Sequence, residues 1–326
     1  MMISPTLPAE LKAALDARLQ GFSRTDAAQR SQKISTTYRS GGGSGTIKSE
    51  ADALAYALAR MPATYAAVAA SLNALTEIVP DLAPETLLDV GAGPGTASWA
   101  AAEAFPSLQD FTLLDANATL SRLALELARD STRLADCRYL PGDAGGNLAE
   151  VSEADLVVAS YVIGELAESD QRKLTETMWA KARHALVVIE PGTPAGYARI
   201  LALRQQLIAA GAYVAAPCPH EKPCPLIAPD WCHFNQRLPR SQAHRQIKGA
   251  EVPFEDERFI YVALTRAPPV TRAARMLAPP DVGKAEITAK LCTEDGVELA
   301  KVARRDKAAY AGARRWRWGD AVPSES

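Results

Sequence analysis

Three of the five cysteines of this 326-residue chain lie within fifteen residues, at Cys218, Cys224 and Cys232, and a fourth follows at Cys292. Cysteine thiolates bind zinc ions and iron–sulfur clusters. The stretch 217–225 is too rich in proline for a helix or a central strand, so we predict an ordered loop that directs its thiolates at one centre. With a fourth thiolate from a hairpin turn, the spacing predicts a four-cysteine metal site.

The spacing favours a 4Fe–4S cluster over Zn as the bound group. Zinc ligands usually include close pairs about two to four residues apart, and the cysteine segment has none. His220 and His233 are spare candidate ligands. Two other interpretations stay open: the cysteines are small core residues, or Cys218 or Cys224 is a nucleophile for pyrimidine methylation, which a metal-bound thiolate cannot be. Cys137 stands apart and is predicted to be buried and inert.

A second signal is the segment Gly91-Ala92-Gly93-Pro94-Gly95, between a predicted strand and a predicted helix. Glycines let the backbone turn tightly and approach a ligand closely. The pattern resembles the first motif of class I S-adenosylmethionine-dependent methyltransferases, and it differs from the longer dinucleotide fingerprint. The resemblance implies that the methionine part of the ligand lies against Asp89 and four loop residues, namely Gly91, Ala92, Gly93 and Gly95.

Two further carboxylates follow predicted strands. Asp115 closes the second strand, where a carboxylate can accept hydrogen bonds from both hydroxyls of a ribose. Asp143 follows a third strand, from which it could reach the exocyclic amine of adenine. The alternative for Asp143 is a role in a simple Pro-Gly-Asp turn. Together the three aspartates and the glycine loop predict an adenosine-containing ligand.

Short apolar runs that alternate with helical patterns position these residues, which indicates an α/β fold with a mostly parallel, Rossmann-like sheet. The predicted strands are 87–90, 111–114, 137–140, 156–159, 186–189 and 259–264, with a hairpin in 285–303. The predicted helices are 7–19, a helix from Ser49 that Pro62 ends or kinks, 97–105, 118–130, 170–182 and 195–210.

We therefore predict N-terminal helices in 1–80 with a glycine-rich linker at 40–46, and a Rossmann-like core in 81–212. A cysteine-rich metal-binding insertion follows in 213–250, and the final core strands and a basic C-terminal β element occupy 251–326. The start of the chain lacks the features of a secretory signal, and no stretch approaches the length of a membrane span. We expect a cytoplasmic protein without a membrane partner.

The net charge of −2 conceals an asymmetry, because acidic residues dominate residues 50–190 while arginine and lysine are concentrated in residues 237–317. Arginine and lysine mixed with aromatic residues suit phosphate contacts and base stacking, although charge runs are often only solvated surface. The candidate RNA-binding residues are Arg237, Arg240, Arg245, Lys248, Arg314, Arg315 and Arg317.

Residues 56–65, 89–95, 217–234 and 318–320 together resemble the methyltransferase-like ribosomal small-subunit family of bacteria and mitochondria, the Rsm22 family. The resemblance covers nearly the whole chain. It implies binding to the small ribosomal subunit or its precursor and to 16S-type rRNA, with no DNA partner. It also implies an S-adenosylmethionine pocket and a 4Fe–4S cluster on Cys218, Cys224, Cys232 and Cys292.

Whether such a protein transfers methyl groups stays open at the sequence level. Amino-directed nucleic-acid methyltransferases carry an Asn/Asp-Pro-Pro-aromatic tetrad after the fourth strand, and residues 160–166 lack it. Glu165 is the candidate base in this segment, and its alternative role is that of an acidic residue at a helix start. The two hypotheses are an rRNA methyltransferase and a non-catalytic assembly or checkpoint factor.

Overall fold

The computed structural model describes residues 2–20, 22–39 and 43–322. Of the predicted linker 40–46, residues 40–42 lie outside the described residues. The remainder includes a 3-10 turn at Ser44–Thr46. This turn is held against the core, because the Asn117 side-chain amide donates to the carbonyls of Ser44 (2.9 Å) and Ile47 (3.1 Å).

The central sheet has eight strands in the order β3-β2-β1-β4-β5-β8-β6, with β7 paired to β8. Strands β1 to β5 are mutually parallel, and β8 runs antiparallel to β5, β6 and β7. This confirms the predicted α/β fold. The strands are β1 (Thr86–Val90), β2 (Asp110–Asp115), β3 (Arg138–Pro141), β4 (Ala154–Ser160), β5 (Ala182–Pro191), β6 (Tyr213–Ala216), β7 (Phe234–Pro239) and β8 (Phe254–Thr265).

Four helices follow β1, β2, β4 and β5 and cover the sheet, close to their predicted positions. The centres of β1, β4 and β5 are almost completely buried, as expected for strands covered on both faces. The helices are α4 (Thr96–Ala104), α5 (Ala118–Ala128), α6 (Glu168–Lys181) and α7 (Pro194–Ala209). The carboxyl ends of the parallel strands therefore meet at one edge, where ligands bind in such folds.

Three helices precede the sheet: α1 (Ala9–Leu19), α2 (Arg24–Arg39) and α3 (Glu50–Ile78). Ser49 caps α3 as predicted, but the helix runs without interruption through Pro62. The helix therefore does not end at Pro62, and a kink there stays a prediction. A proline within a helix costs about 3 kcal/mol, which burial of side chains such as Met61, Tyr65 and Leu72 against the core offsets.

The end of the core differs from the predicted division of the chain. The interval 213–250 contains β6, β7 and α8 (Gln242–Lys248), and both strands pair with β8 of the central sheet. Only residues 217–233 form the loop that carries three cysteines. Strand β8 is longer than predicted, because its first half pairs with β7 and its second half with β5.

A second, smaller antiparallel sheet follows, with the order β10-β11-β9-β13 and β12 paired to β11. The predicted hairpin is β11–β12, which turns at Glu294 and Asp295. The elements are β9 (Ala274–Met276), β10 (Asp281–Val282), β11 (Glu286–Thr293), β12 (Gly296–Ala303), α9 (Lys307–Ala313) and β13 (Ala321–Val322). Across the described ranges, no helix is both long and apolar enough to cross a bilayer.

Candidate cofactor and cysteine sites

The glycine loop joins β1 to α4 and requires glycine for steric reasons. Gly91, Gly93 and Gly95 adopt φ angles of 68°, 53° and 80°, which L side chains rarely adopt. The amides of Gly91 and Ala92 both donate to the Leu114 carbonyl, at 2.8 and 3.1 Å. A Cβ on Gly91 would stand 2.4 Å from Cγ2 of Val162. The loop is therefore pressed closely against the end of β4.

Asp89 is completely buried beneath this loop. Its Oδ2 accepts hydrogen bonds from the amide (3.0 Å) and hydroxyl (2.8 Å) of Ser98, while Oδ1 has no partner among the described residues. Burial raises the pKa of Asp89 to about 7. Asp89 therefore anchors α4 to β1, and its contact with the methionine part of a ligand stays a prediction.

Asp115 lies at the end of β2, on the wall of a cavity above the glycine loop. Its Oδ2 accepts from the Gly93 amide at 2.9 Å and its Oδ1 from the Asn117 amide at 2.7 Å. Burial raises the pKa of this carboxyl. The Tyr139 hydroxyl donates to the Gly93 carbonyl at 2.7 Å, which fixes the loop from the β3 side. Asp115 thus orders the loop in addition to its predicted role at a ribose.

Asp143 is exposed and organises its own turn. Its Oδ1 accepts from the Gly145 amide at 3.0 Å, and its own amide donates to the Asn147 side chain at 3.1 Å. It is not among the residues that line the cavity above the glycine loop. This geometry matches the alternative of a turn residue, and contact with adenine stays a prediction.

We call this space the cofactor cavity. Its volume is about 540 Å³, counting the part open to solvent, and it lies at the carboxyl ends of β1, β2 and β4. Four of the predicted cofactor residues line it: Gly91, Ala92, Gly93 and Asp115. The other lining residues are Ser44, Tyr56, Met61, Thr64, Pro94, Thr96, Leu120, Ser160, Tyr161, Val162 and Glu165.

Sequence reasoning missed the contributions of α3 and of Tyr161. Tyr161 is the one described non-glycine residue with a positive φ, 59°, and it directly follows β4. Its hydroxyl donates to Glu257 Oε1 at 2.9 Å, which also accepts from Arg60 of α3 at 3.1 Å. Polar residues directly after a central strand were the available signal, but a left-handed tyrosine has no sequence signature.

Glu165 lies on the cofactor cavity, in a 3-10 turn at Ile163–Glu165. Its Oε2 accepts from the Ser44 amide at 3.3 Å. The fully buried Glu190 supports the same turn from beneath and pairs with Arg199 of α7 at 2.7 Å. The structure therefore places the candidate base at the cavity, while its catalytic role stays a prediction.

The four predicted ligand cysteines line a second space, which we call the cysteine cavity. It measures about 510 Å³, counting its open part, and lies between α7, β8, the loop 217–233 and the second sheet. The lining residues are Tyr197, Ile200, Leu201, Arg204, Pro217, Cys218, Cys224, Leu226, Cys232, Ile260, Tyr261, Val262, Arg275, Leu277 and Cys292. Thus residues from sequence-distant segments share one cavity.

Polar contacts hold the loop around the cysteine cavity. The Tyr197 hydroxyl donates to Cys224 Sγ at 3.1 Å, and Arg204 donates to the His220 carbonyl. The buried Arg275 of β9 donates to the carbonyls of Pro217 (3.2 Å) and Gly319 (2.8 Å). These bonds tie the loop to α7 on one side and to the second sheet on the other.

Cys292 reaches the cavity because both faces of β11 are covered at that point. Along β11, Ile287, Ala289 and Leu291 are buried on one face, and Cys292, on the opposite face, is buried as well. Cys292 Sγ also lies 3.9 Å from His220 Nε2. The second sheet therefore supplies the fourth thiol from the side of β11 that faces the loop.

Burial changes the pKa values of three of the thiols in this cavity. Burial raises the pKa of Cys218 and Cys232, and it raises the pKa of Cys292 to about 12, while Arg204 and Arg275 lower the pKa of Cys218. Over the described ranges, no three His, Cys, Asp or Glu residues are grouped tightly enough to hold one metal ion. The four-cysteine metal site therefore stays a prediction, although its four thiols line one cavity.

The two remaining candidates, His233 and Cys137, are not among the residues that line the cysteine cavity. His233 stacks on Trp231 with ring centroids 5.1 Å apart and meets Trp318 edge-on at 4.8 Å. Cys137 is half-buried and packs against the core, so it is less buried than predicted, and its inertness stays a prediction. Its position just before β3 leaves one side open.

The candidate RNA-binding residues fall into two groups. Arg237 pairs with Asp256 at 2.7 Å, and Arg240 and Lys248 both pair with Glu255. Arg245 is half-buried on α8. In contrast, the three candidates near the C-terminus, Arg314, Arg315 and Arg317, are exposed, and none of their guanidinium groups forms an ion pair within 4 Å among the described residues. The backbone amide of Arg317 donates to Asp320 at 2.8 Å.

Comparison with known proteins gives a family match over most of the chain. Residues 50–323 match the family described as "Mitochondrial small ribosomal subunit Rsm22". The chain is 30% identical over 295 residues to the human protein "Ribosome assembly protein METTL17, mitochondrial", covering 83% of this chain and 62% of the relative. It is 23% identical over 330 residues to "Rsm22-cox11 tandem protein 2, mitochondrial" of Schizosaccharomyces pombe, covering 83% and 43%. The chain thus spans only part of both relatives.

Among solved structures, a magnesium protoporphyrin IX methyltransferase from Synechocystis with bound S-adenosylmethionine is similar to this chain. The identity is 13%, the TM-score is 0.41, and the similarity covers 71% of this chain and 90% of the other.

Proposed function

Because the chain belongs to the Rsm22 family, we propose that it binds S-adenosylmethionine and acts on the small ribosomal subunit during its assembly. The observation that carries the proposal is the family match over residues 50–323, which contains every lining residue of both cavities except Ser44. The 16S-type rRNA of the subunit is the proposed partner. A cytoplasmic location stays a prediction, since the relatives compared above are described as mitochondrial.

The cofactor cavity supports the proposed ligand. At Gly91 and Gly93 the backbone itself forms the cavity surface, because glycine has no side chain. Asp115 presents a carboxylate at the end of β2. A carboxylate at this position suits ribose hydroxyls, and hydrogen bonds to a charged group contribute about 1.5–3 kcal/mol each. Tyr56, Met61 and Tyr161 supply apolar surface for the remainder of the molecule.

We place assembly ahead of methyl transfer. Two polar side chains that line the cofactor cavity are engaged with the protein itself, since Tyr161 donates to Glu257 and Glu165 accepts from the Ser44 amide. The cofactor would then stabilise a shape that binds the subunit. An rRNA methyltransferase is the alternative, and direct displacement at the sulfonium needs mainly the alignment of donor and acceptor.

We further propose that the cysteine cavity holds a 4Fe–4S cluster on Cys218, Cys224, Cys232 and Cys292. The four thiols around one enclosed space, with Arg204 and Arg275 as nearby positive charges, fit such a group. Bound there, the cluster would supply thiolate cross-links between the loop and the second sheet, or a redox centre. Metal binding of this kind contributes directly to folding.

One experiment tests both roles on the subunit. The protein and methyl-labelled S-adenosylmethionine are incubated with small-subunit particles from cells that lack the protein, and the particles are then sedimented. We expect the protein in the particle fraction and no label in rRNA. Label in rRNA would establish the methyltransferase alternative, and a protein that stays in the supernatant would refute the action on the subunit.

A further inference from the structure

The two basic segments of this chain are neutralised to very different degrees. We define the basic arm as β7, α8 and the start of β8, residues 234–258, and the C-terminal basic surface as the exposed cations within residues 304–317. RNA phosphates attract cations that are exposed and not already paired. The degree of pairing therefore distinguishes the two segments.

Carboxylates of the protein pair with three cations of the basic arm, while Arg245 and Arg258 form no ion pair within 4 Å among the described residues. Glu255 accepts from both Arg240 and Lys248, and its carboxylate also lies 3.3 Å from the buried His244. Arg237 forms two hydrogen bonds with Asp256, at 2.7 and 2.8 Å, and lies over the Phe254 ring. Residues 251–257 include Glu251, Glu255, Asp256 and Glu257, which would repel a polyanion.

The C-terminal basic surface has the opposite balance. Residues 304–317 contain six basic residues and a single acidic one. That acid, Asp306, caps α9 by accepting from the Ala309 amide at 3.2 Å. The six are all exposed, and none makes an ion pair within 4 Å in the part of the chain that the structure describes: Arg304, Arg305, Lys307, Arg314, Arg315 and Arg317.

The surface is firmly supported. Ala313 of α9 is completely buried, and the Arg304 amide donates to the Ala285 carbonyl at 2.8 Å. No large apolar side chain within 304–317 is exposed, which argues against a lipid partner. Five of the six cations are arginines, whose planar guanidinium groups bind phosphate oxygens in pairs.

We propose that the C-terminal basic surface binds the RNA phosphate backbone and that the basic arm does not bind RNA. This inference rests on the proposed action on the small subunit. Of the seven RNA-binding residues predicted from sequence, it retains Arg314, Arg315 and Arg317 as RNA contacts. It adds Arg304, Arg305 and Lys307 to them. Phosphate contacts position a protein without reading base sequence.

The test compares two double variants of the full chain. Arg314→Gln/Arg315→Gln alters the C-terminal basic surface, and Arg237→Gln/Arg245→Gln is the matched control in the basic arm. Binding of a fluorescein-labelled single-stranded fragment of small-subunit rRNA is followed by anisotropy over a range of salt concentrations. The plot of log affinity against log salt has a negative slope, and its magnitude should decrease by about 1.4 for the first variant, at about 0.7 per lost contact. The control should keep the wild-type slope.

Sedimentation with small-subunit particles separates the possible failures. If wild type binds the particles but the two variants have equal slopes, or the control variant has the smaller one, the surface assignment is wrong and the proposed function stands. If the first variant loses particle binding with an unchanged RNA slope, the surface contacts a ribosomal protein and the inference is overturned. If wild type binds neither RNA nor particles, the proposed function itself fails. Melting temperatures show beforehand that both variants fold.

Discussion

The cofactor cavity and the cysteine cavity have similar volumes and share no lining residue, but they are built differently. The first depends on backbone: Gly91 and Gly93 have positive φ, and main-chain bonds hold the loop to Leu114. The second has no glycine in its lining, and side chains from α7, β8, β9, β11 and one loop form its walls.

Because the two cavities are built differently, they should tolerate different substitutions. A backbone-defined site fails when a Cβ is added at a critical position, whereas a site walled by side chains fails when a ligand or a packing contact is removed. Because the two cavities share no lining residue, damage to one should leave ligand binding at the other largely intact.

We expect the largest effect from Gly91→Ala. The new Cβ meets Val162 at 2.4 Å and requires a φ of 68°. Strain and overpacking together should cost about 2–6 kcal/mol of stability. Affinity for S-adenosylmethionine, measured by calorimetry, should fall more than tenfold.

Gly211→Ala is the matched control, since Gly211 has a φ of 86° but no atom within 4 Å of the new Cβ. It should cost only about 1–2 kcal/mol and leave the affinity unchanged. Equal losses of affinity in the two variants would mean that general destabilisation, and not the loop, governs binding.

The next effect concerns the cysteine cavity. Cys292→Ser should abolish the iron content and brown colour of anaerobically purified protein, because one of four thiolates is lost. Cys137→Ser changes a half-buried thiol outside the cavity and should keep full iron. Zinc in colourless wild-type protein, or iron that survives Cys292→Ser, would contradict the cluster proposal.

The stability of the protein should depend on pH because of Asp89, which lies beneath the glycine loop. Burial holds the pKa of Asp89 at about 7 in the folded protein, against about 3.9 in an unfolded chain. The folded state therefore binds the extra proton between these values, and its stability falls as pH rises from about 4 to 7. Asp89→Asn can still accept from Ser98 and should lose this decline, which amounts to at most roughly 4 kcal/mol.

Urea denaturation of both proteins at pH 5 and pH 8 measures the difference. Relative to wild type, the free energy of unfolding of the variant should be higher at pH 8 than at pH 5. If the two proteins keep a constant difference across this range, Asp89 is ionised in the folded state.

The smallest effect is expected from Tyr197→Phe, which removes the hydroxyl that donates to Cys224. Loss of one half-buried hydrogen bond costs about 1 kcal/mol. The melting temperature should fall slightly, and affinity for S-adenosylmethionine should stay at the wild-type value. A measurable loss of that affinity would show that α7 couples the two cavities.

Local patterns predicted the central sheet well. Runs such as 87–90 and 186–189 are buried on both faces, so their composition alone indicates central strands. The glycine loop was equally readable, because positive φ angles leave a direct trace in the choice of residue. The central strands and the glycine loop can therefore be recognised from the types of residue that form them.

Features that depend on distant partners were less readable. The neutralisation of Arg240 and Lys248 depends on Glu255, which the pairing of β7 with β8 brings opposite them. Helix α3 passes through Pro62 because of its burial against the core, which the helix sequence does not contain. Tyr161 entered the cofactor cavity through a backbone conformation without any compositional signature.

The position of Cys292 in the chain has a consequence for synthesis. Three thiols of the cysteine cavity leave the ribosome with the loop 217–233, and the fourth lies sixty residues beyond Cys232. At about 5–20 residues per second, translation separates them by roughly 3–12 s. During that interval the loop has no second sheet to close against, so the growing chain cannot complete this cavity until its last elements have emerged.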